Sequence, residues 1–328
     1  MKWLILLAAA LNAPPAATAP AAAPPPTIVV VVGAEGSAEF APEFAKAADR
    51  WAATASQAAA HFIPIGRDGG PESAASDDKA RLKAALEAQI QKGDSPLWLV
   101  FLGHGTFDGK EAKFNLRGPD VSDQELADWL KSCKRPLAVI NGSSSSAPFL
   151  NKLSGEGRVI VTATQSGNEI HFTRFGDHFA TAIADPTADL DKDGQTSLLE
   201  AYLAASHRVA EFYKQEGRLA TEHALLDDNG DGRGTPAGWF QGLRATRAAK
   251  DGAPLDGPRA HQWHLLLSPT EQAMPPDLRA RRDQLELKVE ALRARKPTLP
   301  ETDYYAQLDA LLLELARVYQ PQPAIRPR

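Results

Sequence analysis

LWLVFLGHG, at Leu97–Gly105, is the stretch of sequence that decides the fold. Its unbroken apolar run is typical of a strand buried on both faces of a parallel sheet. A second such strand, PLAVINGSSSS (Pro136–Ser146), ends in a run of serines. Because the carboxyl ends of parallel strands lie along one edge of a sheet, where ligand crevices form, we expect His104 and Ser143–Ser146 to face each other there.

The surrounding sequence alternates between short apolar runs and helical stretches. TIVVVVG (Thr27–Gly33) and GRVIVTATQSG (Gly157–Gly167) predict two further buried strands. HFIPI (His61–Ile65) predicts a strand at an edge or an end, since Pro64 has no backbone N–H to donate. Helical sequences lie between the strands at Pro42–Ala60, Ser76–Gly93 and Val121–Ser132. This order predicts an α/β fold with a mostly parallel sheet flanked by helices.

The composition and the first residues indicate an exported protein. The chain has 328 residues, 43% of them hydrophobic, with a formal net charge of −5, which argues against a nucleic-acid partner. Lys2 precedes an apolar run of about ten residues, too short to span a bilayer, and Ala/Pro-rich sequence continues to Pro26. We interpret residues 1–26 as a signal peptide and spacer, and expect a periplasmic or extracellular protein with no membrane span in the mature chain. The alternative is an uncleaved N-terminal anchor. Cys133 is the only cysteine, so the chain has no internal disulfide.

An acidic loop in the second half of the chain predicts a calcium site of the EF-hand type. DLDKDGQTSLLE (Asp189–Glu200) fits the whole calcium-loop pattern. Oxygen ligands at this spacing wrap a calcium ion, with the seventh position giving its backbone carbonyl and the twelfth two carboxylate oxygens. The predicted ligands are Asp189, Asp191, Asp193, Gln195 and Glu200. The alternative is an acidic surface turn that caps a helix.

A second acidic segment begins in the same way but departs from the pattern. Asp227, Asn229, Asp231 and Gly232 take the first, third, fifth and sixth positions, whereas the twelfth is Gly238. The sequence therefore predicts an incomplete loop, and leaves open whether it binds a second calcium ion.

The last part of the chain predicts two amphipathic helices joined by PTLP. They are Asp277–Lys296 and Thr302–Tyr319, each with apolar residues on one face. An antiparallel helical hairpin follows, which either packs on the α/β domain or mediates protein contacts. The expected organisation is 1–26 for the signal and spacer, 27–265 for the α/β domain with a calcium-loop insertion near 185–235, and 266–328 for the hairpin.

The two strand ends together suggest hydrolytic chemistry. A histidine at a strand end is a possible general base for a nearby serine hydroxyl, and the unencumbered N–H of Gly105 is a possible oxyanion donor. The order of elements resembles that of legumain-type peptidases of the caspase-like group, in which an apolar strand ends in His-Gly and a later strand ends in Ala-Cys-x-Ser-Gly. The opening stretch VVVVGAEG and the later RVIVTATQSGNE are also similar to that family.

The resemblance implies a caspase-like fold and assigns roles to three residues. His104 matches the catalytic histidine, Gly105 the oxyanion-hole glycine and Ser143 the cysteine nucleophile, with Gly142 in place of the preceding alanine. Serine is far less acidic than cysteine and needs stronger base assistance. The asparagine that the family has after its first strand, and the following arginine of the legumain specificity pocket, have no counterparts here.

Three functions remain open from the sequence. The first is a legumain-like homologue that is impaired or inactive because serine replaces cysteine. The second is a serine-dependent peptidase that uses His104 and Ser143. The third is a non-catalytic, calcium-stabilised binding or scaffold protein of the cell envelope, with a peptide or protein as its ligand.

Overall fold

The apolar runs of the sequence form the strands of the sheet, and the helical stretches cover its faces. The computed structural model describes residues 24–67, 77–91, 93 and 95–320. The strands are β1 (Thr27–Val32), β2 (His61–Ile65), β3 (Leu97–Leu102), β4 (Gly105–Phe107), β5 (Ala112–Phe114), β6 (Val121–Ser122), β7 (Leu137–Asn141), β8 (Arg158–Thr162), β9 (Leu225–Asp227), β10 (Thr235–Pro236), β11 (Phe240–Gln241) and β12 (Arg244–Ala245). The α-helices are α1 (Ala41–Gln57), α2 (Asp78–Ile90), α3 (Asp123–Leu130), α4 (Ala147–Leu153), α5 (Phe175–Ala182), α6 (Leu198–Gln215), α7 (Pro258–His261), α8 (Pro269–Ala273), α9 (Pro276–Arg295) and α10 (Glu301–Val318).

Seven of these strands pair into one mixed sheet in the order β10-β9-β8-β7-β3-β1-β2. Strands β2, β1, β3, β7 and β8 are parallel, and β9 and β10 continue the sheet in antiparallel pairs. The parallel core confirms the predicted α/β class. Strand β2 lies at the edge, as Pro64 predicts. Proline has no N–H to donate, and at an edge the missing donor breaks no bond between central strands.

Helices cover both faces of the sheet and bury one apolar layer on each side. On one face α1, α5 and α6 pack large side chains such as Trp51, Phe179 and Tyr202 against the strands. On the other face α2, α3 and α4 contribute residues such as Leu82 and Phe149. Burial on both faces explains why β1, β3 and β7 are apolar at nearly every position.

The polar segment after His104 folds back as a small antiparallel sheet. Strands β4, β5 and β6 pair in that order. The segment ends where Ser122 accepts a hydrogen bond from the backbone N–H of Glu125, whose carboxylate accepts one from the N–H of Ser122. This capping box starts α3 and turns the chain back towards β7.

The C-terminal helices form the predicted hairpin, in which α9 and α10 pack against each other. Leu285, Val289 and Leu292 form the buried face of α9. Arg282, 9% exposed, anchors α9 through hydrogen bonds of 2.6 and 2.8 Å to the carboxylate of Glu271 in α8. The proposed division at residue 266 stays a prediction.

The predicted signal peptide and spacer lie outside the described residues, apart from 24–26. Among the residues that are described, no helix combines the length and apolar character needed to cross a membrane. Export therefore remains an expectation from the sequence.

Candidate functional site

The topology of the sheet fixes where a ligand crevice belongs. From β1 the chain moves to β2 on one side and then to β3 on the other, so the strand order reverses between β1 and β3. In open α/β sheets a crevice forms at such a reversal, outside the carboxyl ends of the strands. His104 lies there, next to the loop that follows β1: Gly36 approaches its ring, and its side chain shares a hydrogen bond with the Glu35 backbone.

Aromatic rings surround the His104 imidazole. The ring centroids of Phe40, Phe44 and Phe172 lie 4.7, 5.2 and 6.1 Å from that of His104, all in edge-on arrangements. Loss of solvent in this cluster lowers the pKa of His104, and the hydrogen bond to the Glu35 backbone offsets part of that effect. The lowered pKa favours the neutral form of the imidazole, whose immediate neighbours are mainly apolar.

Ser143 lies at the end of β7 and is fully buried. Its hydroxyl donates to Asn141 Oδ1 at 2.7 Å, and its Oγ also lies 3.1 Å from the Ser144 carbonyl oxygen. Within the described part of the chain, no hydrogen bond connects Ser143 to His104. That the two form a catalytic pair stays a prediction.

A neighbouring serine, Ser144, makes the contact that joins the two strand ends. The Gly105 N–H donates to Ser144 Oγ at 3.0 Å, and the same hydroxyl lies 3.0 Å from the Gly105 carbonyl oxygen. Sequence reasoning placed the serine run beside Gly105 but did not identify Ser144, because the register of a turn after a strand is not encoded in a local pattern.

The rest of the serine run is also buried, with two contrasting members. Ser146 Oγ lies 3.1 Å from Thr164 Oγ1 and accepts a hydrogen bond from the Thr164 N–H. Ser145 has a φ of +53°, in the left-handed region that side chains other than glycine adopt at a cost. Its buried Oγ has no hydrogen-bond partner among the described residues. Ser145 is thus the strained residue of the turn.

A small cavity lies elsewhere in the molecule. It measures 170 Å³, and its lining includes Phe175, Val209 and Glu222 but neither His104 nor Ser143. Glu222 is fixed by the N–H groups of Arg174 and Phe175, and burial raises its pKa.

The first acidic loop has the backbone that a calcium loop requires. Ligand oxygens of Asp189, Asp191 and Asp193 lie within 4.8 Å of one another. Gly194, at the sixth position, has a φ of +88°, which allows the sharp turn there. The convergence of three carboxylates on one small volume fits a cation of the calcium type.

Glu200 closes this loop from the start of α6. Its Oε1 accepts from the Leu190 N–H at 2.6 Å, and its Oε2 accepts from the N–H and the hydroxyl of Ser197, both at 2.8 Å. Glu200 is therefore held beside the beginning of the loop, where the twelfth position of a calcium loop belongs. The Gln195 side chain donates to Asp193 Oδ2 at 2.9 Å and accepts from the Ser268 N–H at 3.1 Å, and the role of its backbone carbonyl stays a prediction.

No family model and no curated protein matches this chain. Solved structures do show similarity. The initiator caspase Dronc of Drosophila is 14% identical, with 62% of this chain and 79% of that chain covered and a TM-score of 0.39. Caspase-1 from Spodoptera frugiperda is 7% identical, with 62% and 86% covered and a TM-score of 0.40. Protein GSU0716 from Geobacter sulfurreducens is 11% identical, with 62% and 93% covered and a TM-score of 0.41. Identities this low carry no information on activity, so the functional assignments depend on the geometry of the site.

Proposed function

We propose that this chain is a catalytically impaired homologue of the legumain and caspase-like peptidases, with calcium stabilising its fold. One observation carries the proposal: the Gly105 N–H, which the family resemblance assigns to the oxyanion hole, is already donated to Ser144 Oγ at 3.0 Å. An oxyanion needs a donor that is free when the charge develops. Here that donor is satisfied within the protein.

The arrangement around Ser143 supports the same conclusion. A serine nucleophile needs a general base at its hydroxyl and access for the substrate carbonyl. The Ser143 hydroxyl donates to Asn141 and has no exposed surface, while His104 packs among three phenylalanine rings. Nucleophile, base and oxyanion donor are thus each engaged in internal contacts.

The calcium part of the proposal rests on the first loop. Asp189, Asp191 and Asp193 converge, and Glu200 is locked beside them by the capping box of α6. Three carboxylates this close repel one another, and a divalent cation removes that repulsion. A calcium ion there would link the loop to α6, a large helix of the core.

A fluorophosphonate probe tests the catalytic part of the proposal. We expect no labelling of the full chain and no cleavage of a peptide library, with a known serine hydrolase as the positive control. Labelling at Ser143 that His104→Ala abolishes would overturn the proposal in favour of a serine-dependent hydrolase. Labelling at Ser143 that survives His104→Ala would also contradict the proposal and would exclude His104 as the base.

Thermal unfolding with and without calcium tests the metal part. We expect calcium to raise the melting temperature of the wild type, and Asp189→Asn with Glu200→Gln to reduce that rise. Each substitution keeps one acceptor oxygen and replaces the other with an NH2 group, so the rise is measured for each protein against its own calcium-free melting temperature. An equal rise in the paired variant would remove the first loop from the proposal.

A further inference from the structure

The second acidic loop, Asp227–Thr235, repeats the hydrogen-bond pattern of the first. In each loop the aspartate at position one accepts from the backbone N–H groups of positions four and six. These bonds run from Lys192 and Gly194 to Asp189 at 2.7 and 3.1 Å, and from Gly230 and Gly232 to Asp227 at 2.9 and 3.0 Å. Positions four and six have positive φ in both loops. The two segments therefore share one backbone conformation.

The third and fifth positions also correspond. In the second loop Asn229 Oδ1 accepts from the Asp231 N–H at 2.8 Å, and Asp231 Oδ1 accepts from the Arg233 N–H at 2.7 Å. In the first loop Asp191 and Asp193 accept the equivalent bonds. Asp191, Asp193 and Asp231 each have a second carboxylate oxygen, whereas Asn229 has one oxygen and its Nδ2 donates to the Pro254 carbonyl at 2.8 Å.

The loops differ in sequence at the twelfth position, yet the structure supplies a carboxylate there from another segment. Asp256 Oδ1 accepts from the N–H groups of Asp228 and Asn229 at 3.0 and 3.2 Å, which are positions two and three. Glu200 accepts from positions two and three of the first loop in the same way.

The ninth position completes the correspondence. Thr235 Oγ1 donates to Asp256 Oδ2 at 2.6 Å, as Ser197 Oγ donates to Glu200 Oε2 in the first loop. Asp256 comes 28 residues after Asp228 in the chain. Because Asp256 is distant in sequence, the contiguous calcium-loop pattern has Gly238 at its twelfth position and looks incomplete.

An unsatisfied carboxylate oxygen provides a separate indication of a ligand. Asp231 Oδ2 is shut off from solvent and has no hydrogen-bond partner among the described residues. A buried carboxylate oxygen without a donor is costly unless a cation contacts it.

We propose that Asp227, Asn229, Asp231 and Asp256 hold a second calcium ion. In a calcium loop of this geometry the backbone carbonyl of position seven, here Arg233, adds a further oxygen. Asp227 and Asp256 are each 1% exposed, so this ion is more deeply enclosed than one in the first loop, where Asp191 and Asp193 are exposed. It connects the end of β9 to the segment that precedes α7.

Calorimetric titration of calcium into the EDTA-treated full chain tests the proposal by counting ions. We expect two ions per chain in the wild type. The variant Asp189→Asn with Glu200→Gln keeps the second loop intact and is expected to bind one. The variant Asp231→Asn with Asp256→Asn is also expected to bind one, and Asp256→Asn alone to weaken one site by at least about tenfold. Asp251→Asn, an exposed neighbour, is the matched control and is expected to bind two.

The outcomes separate this site from the first loop. One ion in the wild type and none in the first-loop variant would overturn the second site and leave the first standing. Two ions in the Asp231→Asn, Asp256→Asn variant would also overturn it. One ion retained in the first-loop variant supports the second site even if the other variant fails to fold.

Discussion

The backbone amide of Gly105 lies 3.0 Å from the hydroxyl oxygen of Ser144, and this hydrogen bond joins the ends of two adjacent parallel strands. The bond does two things at once. It satisfies a buried donor, which stabilises the turn. It also occupies the N–H that the family resemblance assigns to an oxyanion hole, so the contact that stabilises this edge leaves that donor engaged.

Introducing a thiol at position 143 is therefore expected to leave the site unreactive. In a Cys133→Ser background, we expect Ser143→Cys to resist iodoacetamide in the folded state and to react after unfolding in urea, because Ser143 has no exposed surface. Mass spectrometry of the alkylated protein measures this. The matched control is the wild type, whose Cys133 is partly exposed. Rapid alkylation of the folded variant, lost with His104→Ala, would contradict the expectation.

The strained turn predicts a substitution that stabilises the protein. Ser145→Gly removes both a left-handed non-glycine residue and a buried hydroxyl without a described partner. We expect a gain of about 1 kcal/mol in the free energy of unfolding, since relief of strain and desolvation exceeds the added entropy of the unfolded chain. Urea denaturation measures it.

Ser146→Gly is the matched control for that substitution. Ser146 has a φ of −79° and bonds Thr164, so its loss is expected to destabilise the protein by about 1 kcal/mol. Changes of the same sign in the two variants would show that the strain at Ser145 has been misassigned.

His178 predicts a loss of stability in mild acid. Burial, followed by the positive charges of Arg208, Arg174, Arg50 and Lys46, lowers the pKa of His178 from 6.5 to about 4. Between these two values the unfolded chain holds the proton and the folded protein does not. The protonation state of His178 therefore favours the folded protein fully above pH 6.5. This part of the free energy of unfolding is lost as the pH falls towards 4.

Replacing His178 with an uncharged residue tests this sign. Between pH 7.5 and pH 5, we expect the melting temperature of the His178→Gln variant to fall less than that of the wild type. The exposed His207→Gln serves as control and is expected to follow the wild type. Identical pH slopes for all three proteins would exclude His178 as the source.

The ion pair at the base of the hairpin predicts a large and local effect. Arg282 and Glu271 are 9% and 6% exposed, and removing one charge leaves the other buried. We expect Arg282→Met to cost about 2–3 kcal/mol, at the lower end for such pairs because Arg279 also contacts Glu271 at 3.1 Å. Arg281→Met, which breaks the exposed pair with Glu314, is expected to cost less than about 0.5 kcal/mol. Equal losses in urea denaturation would contradict this.

Much of the fold was predictable because it depends on local patterns. The valines of β1 predict a doubly buried strand, and Pro64 predicts the edge position of β2, which the sheet order confirms. The spacing of Asp189, Asp191 and Asp193 predicts a loop, and the carboxylates of these three residues lie within 4.8 Å of one another. In each case the residues concerned lie within about one element of one another, so their spacing carries the information.

The features that could not be predicted from the sequence depend on contacts between distant segments. Nothing near Asp256 marks it as the partner of Asp228 and Asn229, since a single aspartate before Gly-Pro is an ordinary turn residue. The choice of Ser144 over Ser143 as the partner of Gly105 depends on how the turn after β7 twists. The aromatic cluster around His104 unites α1, β3 and the segment before α5, which only the packed fold brings together.

Glycine at position 105 is also required by the packing of the strand ends. A Cβ at that residue would lie 2.3 Å from the Ser144 carbonyl oxygen, and backbone cannot move aside as a flexible side chain can. The architecture itself admits only glycine, whether or not any bond is ever hydrolysed. The glycine of a His-Gly dipeptide after such a strand is therefore explained by packing alone, and its presence is not by itself evidence of catalysis.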